Sequence, residues 1–260
     1  MINRTLEILM KRRSVRAYMD KPIASADKQR LFNCAMRAAT AGNMMLYSMI
    51  EVSDQSLKDK LAVSCDNQPF IAKAPLVVLF LADYQRMFDY YQAFGADKWA
   101  EKQGRKFRRP QEGDFFLAIN DALIAAQSMA TAADSIGIGS CYIGDIMEQY
   151  ETHREMFNLP QYTFPITLLC FGYPHHADLE RRLIPRFDEK FVRFENSYRR
   201  FEDADLVHLM DRTEDWQYKG KPHMYEEGNI GCYQYQRKFD ADYNKEMTRS
   251  VKAALKNWKA

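Results

Sequence analysis

A mixed domain with a sheet buried between helical layers is what this sequence predicts, and three stretches predict it. Pro75-Leu76-Val77-Val78-Leu79-Phe80-Leu81 and the run from Phe164 to Phe171 are apolar on both faces of an extended strand. Strands of that kind belong in the middle of a sheet covered on both sides. Phe115 to Ile136 carries Ala, Leu, Ile and Met on nearly every face of a helix, interrupted only by Asn120, Asp121, Gln127, Thr131 and Asp134. Such a helix lies in a core or a subunit interface. With 260 residues, 47% of them hydrophobic, the chain can bury a substantial core as one large domain or two small ones.

In chain order, Asn3 is placed to cap a first helix whose apolar side is Leu6, Leu9 and Met10. That helix delivers Lys11-Arg12-Arg13-Ser14-Val15-Arg16, and Lys21-Pro22 ends it. At helical pitch Arg12 and Arg16 share a face with Arg13 beside them, so one anion can meet all three, and guanidinium forks with a small hydroxyl suit a phosphate. The competing reading is a solvated basic helix end favoured by the helix dipole. A second helix from Ser25 shows Leu31, Cys34, Ala35, Ala38 and Ala39 at helical spacing and stops at Thr40-Ala41-Gly42-Asn43, whose small residues would admit a flat ligand. Tyr47 to Val52 alternates as a strand, and Leu57 and Leu61 mark a short helix after Asp54.

From Asp83 to Gly113 aromatics mix with the basic run Arg105-Lys106-Phe107-Arg108-Arg109-Pro110, which reads as an excursion, a solvated loop or lid, with nucleic acid or nucleotide phosphate as its other possible partner. Gly137-Ile138-Gly139-Ser140-Cys141-Tyr142-Ile143-Gly144 is not a dinucleotide fingerprint, because its third glycine is misplaced and it follows a helix. It reads instead as a strand from Ser140 to Ile143, ending on Gly144 where something flat can lie. A helix with Ile146, Met147, Tyr150, Arg154 and Phe157 ends before Leu159-Pro160, and the connection from Tyr173 to Pro185 is polar and arginine-rich. Beyond Tyr198 a polar tail closes on a helix with Tyr243, Met247, Val251, Leu255 and Trp258 along one side, suited to wrapping the body or a second subunit.

Composition excludes several classes. Thirty-seven basic against 35 acidic residues give a net charge of +2, too balanced for a protein that coats nucleic acid or an anionic membrane. No unbroken apolar run of membrane-spanning length is expected, and Arg4 and Glu7 interrupt any signal-like start, which reads as cytoplasmic. Cys34, Cys65, Cys141, Cys170 and Cys232 are odd in number and sit mostly in apolar runs, as reduced core thiols do. Adjacent His175 and His176 and the isolated His153, His208 and His223 offer no metal motif.

Taken in series, Arg12-Arg13-Ser14-Val15-Arg16, Gln68 ahead of Pro75, the run Gly137 to Gly144, Phe171-Gly172-Tyr173-Pro174, Pro185-Arg186 and Glu195-Asn196-Ser197-Tyr198 resemble the flavin-dependent, oxygen-insensitive nitroreductase family, in its larger NADPH-nitroreductase and flavin reductase subgroup. The resemblance implies an α+β fold with a central, mostly antiparallel sheet flanked by helices, in an interlocked homodimer with FMN at the subunit interface. It implies an FMN-binding core over residues 1–198, with the excursion at 83–113, and an extension over 199–260 that wraps the core or the partner. Arg12, Arg13, Ser14 and Arg186 would hold the FMN phosphate, Arg16 and Gln68 the pyrimidine edge of the ring, and Tyr142, Ile143 and Gly144 would line it. Two positions depart from the pattern: Ile184 stands where relatives place a lysine, and Glu226, Glu227 and Asn229 stand where NADPH-preferring relatives keep arginines.

The activity this implies is NAD(P)H oxidation coupled to reduction of nitroaromatics, quinones or free flavin by a ping-pong hydride mechanism. No dedicated acid or base is needed, since the cofactor carries the chemistry and the protein orients it and tunes its charge. Arg16 is the cation expected to stabilise the anionic reduced ring. A weakly active or non-catalytic flavin-binding protein is the alternative, which the residue at 184 keeps open. Residue by residue, plainer roles exist: Ser14 as a cap, Gly144 as a turn, Tyr142 and Phe171 as core aromatics, and Arg186 paired on the surface with Asp188 or Glu189.

Overall fold

A computed structural model describes residues 3–218 and 229–259. His223, Glu226 and Glu227 lie outside the described residues. The elements are α1 (Arg4–Lys11), α2 (Ser25–Met36), β1 (Tyr47–Glu51), α3 (Gln55–Ser64), α4 (Phe70–Lys73), β2 (Leu76–Asp83), α5 (Gln85–Ala93), α6 (Ala96–Lys102), α7 (Glu112–Ser135), β3 (Gly139–Ile143), α8 (Tyr150–Met156), β4 (Thr163–Gly172), α9 (His176–Glu180), α10 (Asp203–Leu206), α11 (Asp211–Tyr218), α12 (Ile230–Gln234) and α13 (Asp242–Lys259). They divide into two compact units, Met1–Glu180 with Lys245–Ala260, and Arg181–Asn244.

The first unit is built on a four-stranded antiparallel sheet in the order β1-β2-β4-β3. Every residue of β2 and β4 is buried, as expected of strands apolar on both faces. Their side chains sort by the two-residue period of a strand. Leu76, Val78, Phe80 and Ala82 enter a core with Ala118, Ala122 and Met129 of α7, while Val77, Leu79 and Leu81 enter a second core with Leu61 and Ile71 of α3 and α4. Between Phe80 and Leu81 the register to β4 slips, from Thr167 to Pro165, so Pro165 sits beside a bulge, a place where a residue without an N–H is tolerated in a central strand. The α+β class and the antiparallel sheet thus match the sequence expectation.

Caps appear where the side chains predict them: Asn3 accepts from Leu6 N–H and Asp54 from Leu57 N–H. α7 carries a capping box in which Gln111 and Asp114 each bond the other's backbone. With 24 residues α7 has the length and composition of a membrane-crossing helix, though Asn120, Asp121 and Gln127 break its apolar run, as the sequence shows. It packs along the sheet through a buried row of alanines and Met129, as a core helix does. At the far end of the chain Trp258 of α13 returns to this core edge-on to Phe115 and Tyr162, with centroids 4.8 and 5.6 Å away.

Two local expectations need correction, and the cysteines are mostly buried, as expected. The stretch 83–113 is helical over α5 and α6, and Phe88 and Phe107 stack at 5.7 Å against the core. Its Arg108 is committed to a bidentate pair with Asp114, at 2.5 and 2.8 Å, that ties the run to the start of α7. The helix expected to carry Ile146 through Phe157 is broken: a short 3₁₀ turn covers Asp145–Met147, Gln149 adopts φ 48°, and only then does α8 begin. Cys34 and Cys232 are exposed free thiols, whereas Cys65, Cys141 and Cys170 are buried ones.

Candidate functional site

α1 stops at Lys11. Arg12 leaves it with φ −54° and ψ 131°, and the chain continues extended. Here the sequence expectation fails: Arg12, Arg13 and Arg16 are not neighbours on a helix but successive positions on a strap along the sheet edge. Ser14 makes a parallel bridge with Ser140 of β3, Val15 N–H donates to Ser140 O at 2.9 Å, and Met19 N–H donates to Tyr173 O at 2.8 Å. The free edge of β3 captures the basic segment by strand pairing, and pairing overrides the local helical continuation.

Two glycines facing each other across the sheet, Gly139 of β3 and Gly172 of β4, let the strap lie this close. A Cβ on Gly139 would come within 2.5 Å of Val15 Cγ2, and one on Gly172 within 2.5 Å of Tyr18 Cδ1. The glycines of this motif therefore serve the strap. Gly144, by contrast, has an ordinary helical backbone, φ −79° and ψ −24°, so no turn requires glycine there, and it leaves bare backbone exposed at the end of β3.

The alternation of an extended chain distributes the predicted residues. Arg12 donates to Ser14 Oγ at 3.3 Å, and its guanidinium lies 5.8 Å from the Tyr142 ring centre. Arg16 and Ser14 reach the Cys141 side chain, whose thiol burial pushes up while these neighbours pull it down. Arg13 departs from the group and donates to Asp178 O of α9 at 2.8 Å. Arg12 and Arg13, with Arg4 and Lys11, line a groove of about 280 Å³ whose acidic groups are Glu7 and Asp134. Burial pushes the Asp134 carboxyl up to about 6 while Arg12 pulls it down. Cations outnumber carboxylates in this groove, which suits an anionic guest.

Gln68 reaches the opposite end of β3. α3 is followed by Asp66 and Asn67 with φ 58° and 49°, left-handed positions that Asp and Asn tolerate. This turn sends Gln68 N–H back to Ala62 O at 2.7 Å and its amide nitrogen to Cys65 O at 2.9 Å and Asp145 Oδ2 at 2.8 Å. Tyr142 is half-buried and donates to Gln127 Oε1 at 3.2 Å, with burial pushing its phenol up to about 12. Ile143 has its side chain wholly inside the second core, so only its backbone can meet a ligand. Arg186 belongs to the second unit, where it is exposed. In that unit Asp188 accepts from Arg212 and Glu189 pairs with Arg193, so the surface pairing considered for Arg186 is taken by others.

The sequence profile of the Nitroreductase family matches residues 9–173. The chain belongs to the nitroreductase family. An FMN reductase (NADPH) from Bacillus subtilis (strain 168) is 31% identical over 212 residues, 81% of this chain and 80% of its own length. An oxygen-insensitive NADPH nitroreductase from Salmonella typhimurium is 27% identical over 82% of each chain. The solved NADPH:FMN oxidoreductase from Vibrio harveyi, complexed with NAD+, shares the fold with a TM-score of 0.78 at 21% identity, covering 97% of this chain and 98% of that one.

Sequence reasoning passed over three acidic residues of this nitroreductase-family site. Asp134 was visible only as a polar break in α7. Asp145 and Glu148 follow Gly144 within one turn, and Glu148 is 6% exposed. An acid directly after the residue proposed to meet a flat ligand was the signal available for them.

Proposed function

We propose that this chain is an FMN-dependent NAD(P)H oxidoreductase that passes reducing equivalents from NADPH or NADH to nitroaromatics, quinones or free flavins, as a cytoplasmic homodimer. When bound, FMN would supply the hydride chemistry, which the protein's residues orient and tune. The observation that carries the reading is the strap, which sets cations and a hydroxyl along one sheet edge with bare glycine backbone at the strand's end.

Arg12, Arg13 and Ser14 hold the phosphate, and Arg186 is assigned to the same group by the family pattern. Arg16 sets its guanidinium where the ring's pyrimidine edge gathers negative charge, and Gln68 bonds that same edge. Tyr142 by its ring, Ile143 by its backbone and Gly144 by its missing side chain form the floor. None of these residues transfers a proton, in keeping with a broad acceptor range. Leu9 and Met10 of α1 and Phe116 and Ile124 of α7 are exposed apolar side chains that a second copy would cover. Free thiols at all five cysteines suit a reducing compartment.

The purified protein is expected to be yellow, to release FMN on heating and to bleach rapidly under anaerobic NADPH or NADH, with parallel double-reciprocal lines in steady state. A colourless protein that gains no flavin on titration overturns the reading; a yellow protein that bleaches only over hours supports the non-catalytic flavin-binding alternative.

A further inference from the structure

Among the described residues the side-chain amide of Gln68 has two hydrogen-bonding neighbours, and both are acceptors: the carbonyl of Cys65 at 2.9 Å and the carboxylate of Asp145 at 2.8 Å. Only the NH2 end can face them, and its two hydrogens are consumed there. The carbonyl oxygen is what Gln68 has left to offer a ligand. A glutamine amide ordinarily serves a donor or an acceptor equally well; this one is restricted to receiving a hydrogen bond.

What holds Asp145 in place is Glu148. The two sit at either end of one tight turn, closed by Glu148 N–H to Asp145 O at 3.0 Å, and the Asp145 carboxylate is close enough to push the Glu148 carboxyl up. Glu148 is 6% exposed, and its Oε1 has no hydrogen-bond partner among the described residues. The charged or titratable groups around it are Asp145, Asp66 and Cys65 from the turn after α3, and Glu246 from α13, itself paired with Arg249. His153 abuts its backbone and is kept neutral by burial. Surrounded by acids and desolvated, Glu148 retains its proton up to about 7 and can donate it to Asp145.

We propose that Asp145, fixed by Glu148, is a positioning residue that commits Gln68 to accept, so that the site selects a ligand presenting an N–H. This rests on the reading that places Gln68 at the flavin's pyrimidine edge, where N3–H is the donor. Ionisation of Glu148 removes the bond that steadies Asp145 and sets two like charges on one turn, so selection weakens as pH rises.

The test is fluorescence titration of the flavin-free protein with FMN and with FMN methylated at N3. Wild type at pH 6 is expected to bind FMN at least about tenfold more tightly than the analogue, the value of one hydrogen bond and a displaced methyl. Gln68→Ala and Asp145→Ala are each expected to reduce that ratio below about threefold, and Asp145→Asn, whose carbonyl can still accept, to keep it. Between pH 6 and 8 the wild-type ratio falls by about threefold or more, and in Glu148→Gln it stays constant. If wild type binds both ligands equally, Gln68 does not meet N3–H, and both this proposal and that part of the functional reading fail. If wild type discriminates, Gln68→Ala does not, and Asp145→Ala still does, the positioning role alone is overturned. Should circular dichroism show Asp145→Ala unfolded, the pH arm decides, and a flat wild-type profile overturns the proposal.

Discussion

Gly139→Ala tests whether the strap is locked to the sheet by contact with a missing side chain. The added methyl would lie 2.5 Å from Val15 Cγ2 and 2.8 Å from Val15 Cβ, well inside contact distance. The strap can absorb this by staying and straining, which costs about 1–3 kcal/mol for overpacking. It can instead peel away, losing the burial of Val15, about 1.5–3 kcal/mol, and the Val15 N–H bond to Ser140, about 1 kcal/mol. Peeling costs about 2.5–4 kcal/mol in all, so the cheaper strain sets the expected destabilisation at about 1–3 kcal/mol, read as a lower urea midpoint at unchanged slope. Val15 tells the two atoms apart. Val15→Ala removes the 2.5 Å contact but keeps the 2.8 Å one, so paired with Gly139→Ala it relieves only part of the cost; Val15→Gly removes both. A double-mutant cycle should therefore give coupling of about 1–2 kcal/mol, larger for the glycine variant. Additive effects in both cycles would refute the claim that Gly139 is kept small for Val15.

Arg12→Ala is expected to weaken FMN by about tenfold or more while leaving riboflavin binding within about twofold, whereas Arg16→Ala weakens both ligands alike, measured by flavin fluorescence. Asp121 is 2% exposed and accepts from Ala41 N–H at 3.0 Å, Leu46 N–H at 3.0 Å and the Thr40 hydroxyl, holding the 40–46 turn against α7. Asp121→Leu strands those donors and should cost about 3–5 kcal/mol in chemical denaturation. The Glu148 carboxyl, raised from 4.5 to about 7 by burial and its acidic neighbours, holds a proton in the folded chain that the unfolded chain has already released. Its retained proton thus costs stability as pH rises from about 4.5 through 7, roughly 3 kcal/mol in all, and the difference in urea midpoint between Glu148→Gln and wild type should widen over that range.

Much of the scaffold was legible because its determinants are local. A strand apolar on both faces has one place to go, and Leu76 to Leu81 went there. Asn3 and Asp54 cap because a short acceptor precedes a helix start. The strap was not legible, since its conformation is set by Ser140, Gly139 and Gly172, far along the chain; read locally, Arg12 to Arg16 continue a helix. The break between Met147 and Tyr150 escaped for a similar reason. Its apolar spacing is helical, but Glu148 turns inward, and Ser250 of α13 accepts from Tyr150 N–H at 3.1 Å. The basic run at 105–109 reads as a solvated loop until Asp114, six residues on, is placed opposite Arg108.

The change from helix to strap also changes what the arginines can recognise. On a helix, residues four apart stand about 5–6 Å from one another, close enough for both guanidiniums to converge on a single phosphate. Along an extended chain the same interval spans about 13 Å at roughly 3.3 Å per residue. Arg12 and Arg16 then cannot share one small anion without folding their side chains toward each other, and their observed contacts diverge, Arg12 over Tyr142 and beside Asp134, Arg16 at Cys141. Two cations at that separation fit a ligand with two electronegative ends, a phosphate at one and a polar ring edge at the other. A ligand lacking the phosphate should therefore become indifferent to Arg12 while still sensing Arg16. Inorganic phosphate alone should compete with FMN only weakly, because it satisfies one end of the strap. Strong competition by phosphate, abolished equally by Arg12→Ala and by Arg16→Ala, would mean that the two guanidiniums converge after all.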